Sequence, residues 1–232
     1  MKKVLIPVAA MITVLLACSS VVPGPPKEEV RHLDAFSGIG ISVSADVYYT
    51  PGNTHEIRIE GADTDVNDLK TEVKDGFLQV KYENWKVRHS KLTLYITSEE
   101  LDAVKISGSA DFKSGEPVTS DEMELAMSGS GGIHFDRLNS DEIDIKISGS
   151  GDIELNQGDA DELDARISGS GKLEAESYEV SEVTAAISGS GSIRITVKDD
   201  LDAKISGSGK VYYHGTPRVN SVSSGSGKVV SL

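Results

Sequence analysis

Residues 143–155 read Ile143-Asp144-Ile145-Lys146-Ile147-Ser148-Gly149-Ser150-Gly151-Asp152-Ile153-Glu154-Leu155. Apolar or small residues take every second place, and the places between them are polar. Strict alternation means strand, because successive side chains point to opposite faces. The two glycines fall on the apolar phase, where a sharp bend would leave no room for a side chain. The reading is two strands meeting at a glycine corner with the serines outside, unless a bulge there exchanges the faces.

The same phrase runs down the chain. Counted on the residue ahead of it (Ile106, Met127, Ile147, Ile167, Ile187, Ile205 and Ser223), the steps are 21, 20, 20, 20, 18 and 18 residues. A short fixed period built of strands is the mark of a stacked solenoid. Between phrases lie stretches without alternation, such as Asp136-Arg137-Leu138-Asn139, Asn156-Gln157-Gly158-Asp159 and Gly215-Thr216-Pro217-Arg218. These arcs absorb the shorter steps. One coil cannot bury its own apolar face, so neighbours must stack and pair strand on strand. The expected fold is all-β: a single-stranded parallel β-helix of about seven coils, spaced ~4.8 Å apart. Right-handed winding follows the general preference of parallel crossovers.

The amino terminus carries an address. Lys2 and Lys3 precede an apolar run from Val4 to Leu16, which is too short for a stable membrane span and reads as a signal peptide over residues 1–17. Leu15-Leu16-Ala17-Cys18 resembles the lipobox of bacterial lipoproteins, and Cys18 is the only cysteine. A lone thiol in an exported protein has no disulfide partner, so Cys18 is the expected lipid anchor to the membrane. Residues 18–29, with Pro23, Gly24, Pro25 and Pro26, read as a tether. Without the signal the chain has 21 basic and 37 acidic residues, a net charge of −16. That balance argues against nucleic acid and against anionic surfaces as partners, since both demand a basic footprint. The expected address is the cell envelope, as an outer-membrane lipoprotein.

Residues 30–105 are strand-like without the phrase. Ile39, Ile41, Val43, Val47 and Tyr49 alternate with small or polar residues before Pro51-Gly52-Asn53, a turn signal. Only Asp65 to Val73 suits a short helix or turn. This half runs into the repeats at residues 106–232 with no visible linker, and is expected to cap the open edge of the first coil. The chain resembles the putative autotransporter adhesin, head GIN domain family of envelope lipoproteins. The resemblance rests on Phe36-Ser37-Gly38-Ile39 with Asp46-Val47, on Val73-Lys74-Asp75-Gly76-Phe77-Leu78, and on the Ile-Ser-Gly-Ser-Gly phrases. It implies a β-helical solenoid and carries no catalytic motif to map onto these residues.

Several residues are candidates for function. A calcium-binding β-roll would need a carboxylate after each Gly-Ser-Gly, but that place reads Asp111, Gly132, Asp152, Lys172, Ser192, Lys210 and Lys228. A better acidic column contains Asp141, Glu142, Asp161 and Glu162, stacked closely enough to repel unless a cation intervenes. A solvated corner that also discourages edge pairing is the better explanation of those acids. Two serine columns, represented by Ser148 with Ser150 and Ser168 with Ser170, would form an outward hydroxyl lattice able to meet glycan. Serine is also simply small, polar and tolerant of tight corners. Tyr48, Tyr82 and Trp85 concentrate aromatic surface in the first half, either for sugar stacking or for packing of the cap.

The acidic pairs recur in every coil, whereas an active site is a local break in a repeat, and the five histidines show no metal-ligand spacing. The reading is therefore a non-catalytic scaffold or adhesion module without a cofactor, binding glycan or an envelope protein. The competing class is a polysaccharide lyase or hydrolase on a β-helix. The last strand, Val229-Val230-Ser231, presents an open edge that invites end-to-end self-association.

Overall fold

The computed structural model describes residues 24–84 and 89–232. Its strands join in a single 17-stranded sheet wound into a parallel β-solenoid of about six turns. In chain order the elements are β1 (Pro26–His32), β2 (Gly38–Ile41), β3 (Ala45–Pro51), β4 (Glu56–Ala62), α1 (Asp63–Asp68), β5 (Leu69–Lys74), β6 (Phe77–Tyr82), β7 (Leu92–Ser98), β8 (Ala103–Gly108) and β9 (Asp111–Ser114). The repeats follow as β10 (Val118–Gly129), β11 (Gly132–Gly149), β12 (Asp152–Gly169), β13 (Lys172–Gly189), β14 (Ser192–Gly207), β15 (Lys210–His214), β16 (Arg218–Gly225) and β17 (Lys228–Ser231). Seven phrases suggest seven coils; the solenoid has about six turns.

Register follows the phrase. Ile147 pairs with Ile167, Ile167 with Ile187 and Ile187 with Ile205, each Ile standing over the last inside the coil. These side chains are buried with Ile145, Ala165, Ala185 and Ala203 in one continuous core. In-register stacking of identical branched side chains fills the narrow interior without a second layer. Where the step falls from 20 to 18 residues, the register shifts between Ala175 and Glu182, in the arc. The Ser-Gly corner on either side keeps its pairing. Tyr178 fills the arc there: its ring is fully buried and its hydroxyl donates to the Asp159 carbonyl at 2.7 Å.

The corner differs from the sequence expectation in one respect. Gly149, Gly169 and Gly189 do not point inward. Gly169 has φ of +122°, and a Cβ there would stand 2.4 Å from the Gly149 carbonyl oxygen of the coil before it. It faces along the stack. The inward glycine is the second of each phrase: a Cβ on Gly171 would meet Ile147 Cγ2 at 2.4 Å. The bend turns the chain through a conformation that only glycine adopts readily, so the two glycines are needed for different reasons. The serines stay on the outside.

The first half caps the solenoid, but not in chain order. β2 lies between β6 and β8, and β3 between β7 and β9, so residues 38–51 form a rung inside the stack while residues 77–98 lie beyond it. Ile41 pairs with Ile106. Ile41-Ser42-Val43-Ser44-Ala45-Asp46 is thus a copy of Ile106-Ser107-Gly108-Ser109-Ala110-Asp111 that the fixed step conceals. The outermost rung is closed by antiparallel strands, β4 on β7 and β5 on β6. α1 overlaps the stretch singled out for a helix at residues 65–68 only; residues 69–73 of that stretch belong to strand β5.

Pro26 to Glu29, expected in the tether, instead open β1, which pairs antiparallel with β4. No apolar alternation announced this strand. It is an edge strand held by backbone pairing and by polar contacts, Arg31 donating to the Leu69 and Val66 carbonyls at 2.7 and 3.0 Å. At the other end, among the described residues, β16 pairs only with β14, and β17 only with β15. There Ser221 and Ser223 occupy the places that Ala203 and Ile205 hold in the coil before. A second copy meeting this edge would gain backbone hydrogen bonds but little apolar burial.

Candidate functional site

Outside the core, each coil presents the other phase of the alternation, and parallel register turns it into columns. One column reads Asp144, Asp164, Thr184, Asp202 and Asn220, and the next reads Lys146, Arg166, Ala186, Lys204 and Val222. Beside them runs Ser148, Ser168, Ser188, Ser206 and Ser224. Around the corner stand Ser150, Ser170, Ser190 and Ser208, followed by Asp152, Lys172, Ser192, Lys210 and Lys228.

Between the basic and serine columns lies a trough. Its larger segment, a cavity of about 620 Å³, runs from Lys146 and Ser148 to Val222 and Ser224. A second segment of about 310 Å³ continues it towards Gly40 and Ser42 through Lys105, Ser107 and Ser128. The walls are the aliphatic stems of Lys and Arg on one side and serine on the other. In this part of the chain neither serine column makes a side-chain hydrogen bond to the described residues, so the hydroxyls face solvent free. Free hydroxyls in register, ~4.8 Å apart, form a lattice of donors and acceptors.

The basic and acidic columns are stitched together. Lys105 reaches Glu124 at 2.5 Å, Lys146 reaches Asp144 at 2.7 Å, and Arg166 reaches Asp164 at 2.5 Å. Lys146 also lies 3.7 Å from Glu124, and Arg166 lies 3.7 Å from Asp144, so the pairs link successive coils. The Asp144 hydrogen bond, followed by its charge, holds the Lys146 ammonium above its ordinary value.

The structure separates the candidates named from the sequence. Ser148, Ser150, Ser168 and Ser170 are exposed, with Ser148 and Ser168 lining the trough. Asp141, Glu142, Asp161 and Glu162 are exposed too, and Glu142 and Glu162 pair in register beside Glu182 and Asp200. Among the described residues no three carboxylate, imidazole or thiol groups converge as a metal ion requires. Tyr48 is 39% exposed and stacks on Tyr95, with centroids 5.4 Å apart, while Arg58 covers Tyr95 at 3.8 Å. The pair forms a ladder along the sheet, and neither ring lines the trough. Tyr82 stacks on His89 at 3.5 Å, in a cluster where His89 meets Asp65 at 3.1 Å and Asp68 at 3.2 Å. Burial first, and then the charges of Asp65 and Asp68, hold the Tyr82 hydroxyl above its usual range. Trp85 and Cys18 lie outside the described residues.

One further cluster interrupts the outer face. His134 bridges Asp136 at 2.7 Å and Glu154 at 3.0 Å, the latter one coil away. Burial alone would lower the imidazole's proton affinity, but the two carboxylate hydrogen bonds outweigh it and hold His134 above its ordinary value. The charged imidazole therefore stabilises the fold fully below the unfolded value of about 6.5 and loses that contribution as pH rises through the folded one. His134→Gln is expected to reduce the fall in urea stability between mildly acidic and mildly alkaline pH. An unchanged pH profile in the variant contradicts the bridge.

The basic column was missed in the sequence although its signal is plain once sought. The residue before the Ile of each phrase, or its equivalent, reads Lys105, Ala126, Lys146, Arg166, Ala186, Lys204 and Val222. Only the register shows that these residues share one wall with the serines opposite.

Known proteins give the family. The family model for the putative auto-transporter adhesin, head GIN domain, matches residues 35–217, most of the chain. The chain belongs to this family. A putative adhesin from Bacteroides fragilis NCTC 9343 superposes with a TM-score of 0.84 at 23% identity, covering 90% of this chain and 97% of that one. A putative adhesin from Parabacteroides merdae ATCC 43184 gives 0.72 at 25% identity, with the same coverage. A putative lipid binding protein from Parabacteroides distasonis ATCC 8503 gives 0.74 at 23% identity, again covering 90% and 97%. These structures share the fold of this head GIN domain. No curated protein matches the chain.

Proposed function

We propose that this head GIN domain is a non-catalytic binding module of the cell envelope that takes an extended partner lengthwise along its serine trough. The observation that carries this reading is the register. It sets unbonded hydroxyls coil after coil beside a wall of alkyl stems. A regular groove suits a repeating ligand, because each coil offers the same contacts to the next unit of a chain. The adhesin description of the family and of its structural relatives points the same way. A glycan fits the hydroxyl lattice better than a folded protein does, since a sugar chain can satisfy each hydroxyl in turn. The competing polysaccharide lyase or hydrolase would need carboxylates converging at one place, whereas the acids here repeat along the stack.

The test is to incubate the purified protein with a panel of envelope polysaccharides, measuring both binding and newly formed chain ends. Retention of a glycan without new ends supports the module. Steady release of ends would move the chain to the enzyme class, and a panel that fails to bind would remove the glycan reading.

The same reading places the module on the outer membrane through lipidated Cys18. Cys18→Ala is expected to move the protein from the detergent-extracted membrane fraction to the soluble fraction. Membrane retention identical to that of the unaltered protein would sink the anchor.

A further inference from the structure

The wall of the trough has a gap. The basic column reads Lys146, Arg166, Ala186, Lys204, so Ala186 puts a methyl group where its neighbours put long cations. The same coil is small all the way round the corner, reading Thr184, Ala186, Ser188, Ser190 and Ser192. Arg166 and Lys172 stand in the coil before it, and Lys204 and Lys210 in the coil after it. Those two coils lie roughly 10 Å apart, twice the strand spacing. The 620 Å³ cavity opens over Ala186 and Ser188, with Arg166 on one side and Lys204 on the other, while Lys172 and Lys210 stand past the corner.

The charges are as telling as the shape. In a chain with 37 acidic residues, Lys172, Lys204 and Lys210 make no ion pair or hydrogen bond with any described residue. Asp202, the acid beside Lys204, instead accepts from Asn220 at 2.7 Å. Lys210 has only the Tyr212 ring, 6.0 Å from its nitrogen. Of the three, Lys204 lines the cavity beside the gap, where an unpaired cation on an acidic surface is complementary to an anion from outside.

We infer that the gap at Ala186 seats a carboxylate-bearing polysaccharide, a linear glycan rich in acidic sugars. This rests on the binding-module reading and names the ligand class. The glycan lies along the trough, its hydroxyls meeting Ser168, Ser188 and Ser206. A sugar ring occupies the low row at Ala186 and Ser188, and its carboxylate is placed against Lys204. The continuation of the trough past Lys105 and Ser107 gives more length than a lipid headgroup would use.

Ala186→Arg tests the inference, because Arg166 already occupies the equivalent place one coil earlier and the fold accommodates it there. The variant adds a positive charge and closes the gap. If the gap is a seat, binding of oligogalacturonate weakens by about tenfold or more, the scale of a lost polar contact. If charge alone attracts the ligand, binding tightens, and the inference is overturned. Lys204→Ala is expected to weaken oligogalacturonate to a similar extent and to flatten its salt dependence.

An uncharged glucan of the same length and vesicles of phosphatidylglycerol in phosphatidylcholine complete the comparison. A glucan that binds as tightly as oligogalacturonate and is also displaced by Ala186→Arg leaves the binding module standing and removes the acidic class. Binding to the vesicles but to neither glycan overturns the inference in favour of a membrane surface. If no probe binds, the inference and the glycan reading fail together. Coincident thermal melts of all variants exclude a folding defect.

Discussion

Gly169→Val is expected to destabilise the solenoid by roughly 3 kcal/mol or more, combining backbone strain with overpacking. The residue has φ of +122°, and its new Cβ would lie 2.4 Å from the Gly149 carbonyl oxygen. A backbone atom of the neighbouring coil cannot swing aside as a side chain can. The same carbonyl accepts the Ser170 N–H at 2.8 Å, so yielding would break a hydrogen bond between coils. Gly171→Val should also be costly, by driving a side chain into Ile147 and the Gly151 carbonyl within the core. Ser168→Ala, on the exposed face, should change stability by about 0.5 kcal/mol at most. Urea melts of the three variants rank these effects. A serine change as damaging as either glycine change would mean that the faces of the corner are misassigned.

Tyr178→Ala should cost about 3–5 kcal/mol, the usual range for removing a large buried ring. The ring is fully buried where the register shifts between a 20-residue and an 18-residue coil, so no repeated residue stands ready to fill the space. The coil before it is adapted to the ring: a Cβ on Gly158 would come within 2.9 Å of Tyr178 Cε2 and 1.7 Å of the Leu138 carbonyl oxygen. Tyr178→Phe keeps the packing and loses only the hydrogen bond to Asp159, with an expected cost of about 1 kcal/mol. Equilibrium unfolding of both variants separates the two contributions. Equal losses would show that the hydrogen bond, not the packing, holds the arc.

A repeat protein exposes most of its architecture in its sequence because each coil is stabilised by its nearest neighbours. The alternation around Ile147 determined the strands, the step between phrases determined the stacking, and the non-alternating arcs absorbed the shortened steps. The outward phase of Ser148 and Ser168 was equally legible, since period two leaves only two faces to choose between. The family could be named from the same phrases.

The rest depended on which segments meet. That Gly38–Ile41 lies against Ala103–Ile106, ahead of the coil at residues 77–98, is a long-range pairing that a count of steps cannot reveal. β1 has almost no apolar pattern, because an edge strand gains its place from backbone hydrogen bonds and from Arg31 rather than from burial. At the corner the alternation identified Gly169 as special but gave the wrong reason. Direction at a bend is set by the backbone torsion, and the sequence carries only the residue that can adopt it. The trough follows the same logic. Lys146, Arg166, Ala186 and Lys204 stand far apart along the chain, and only stacking in register makes them one wall.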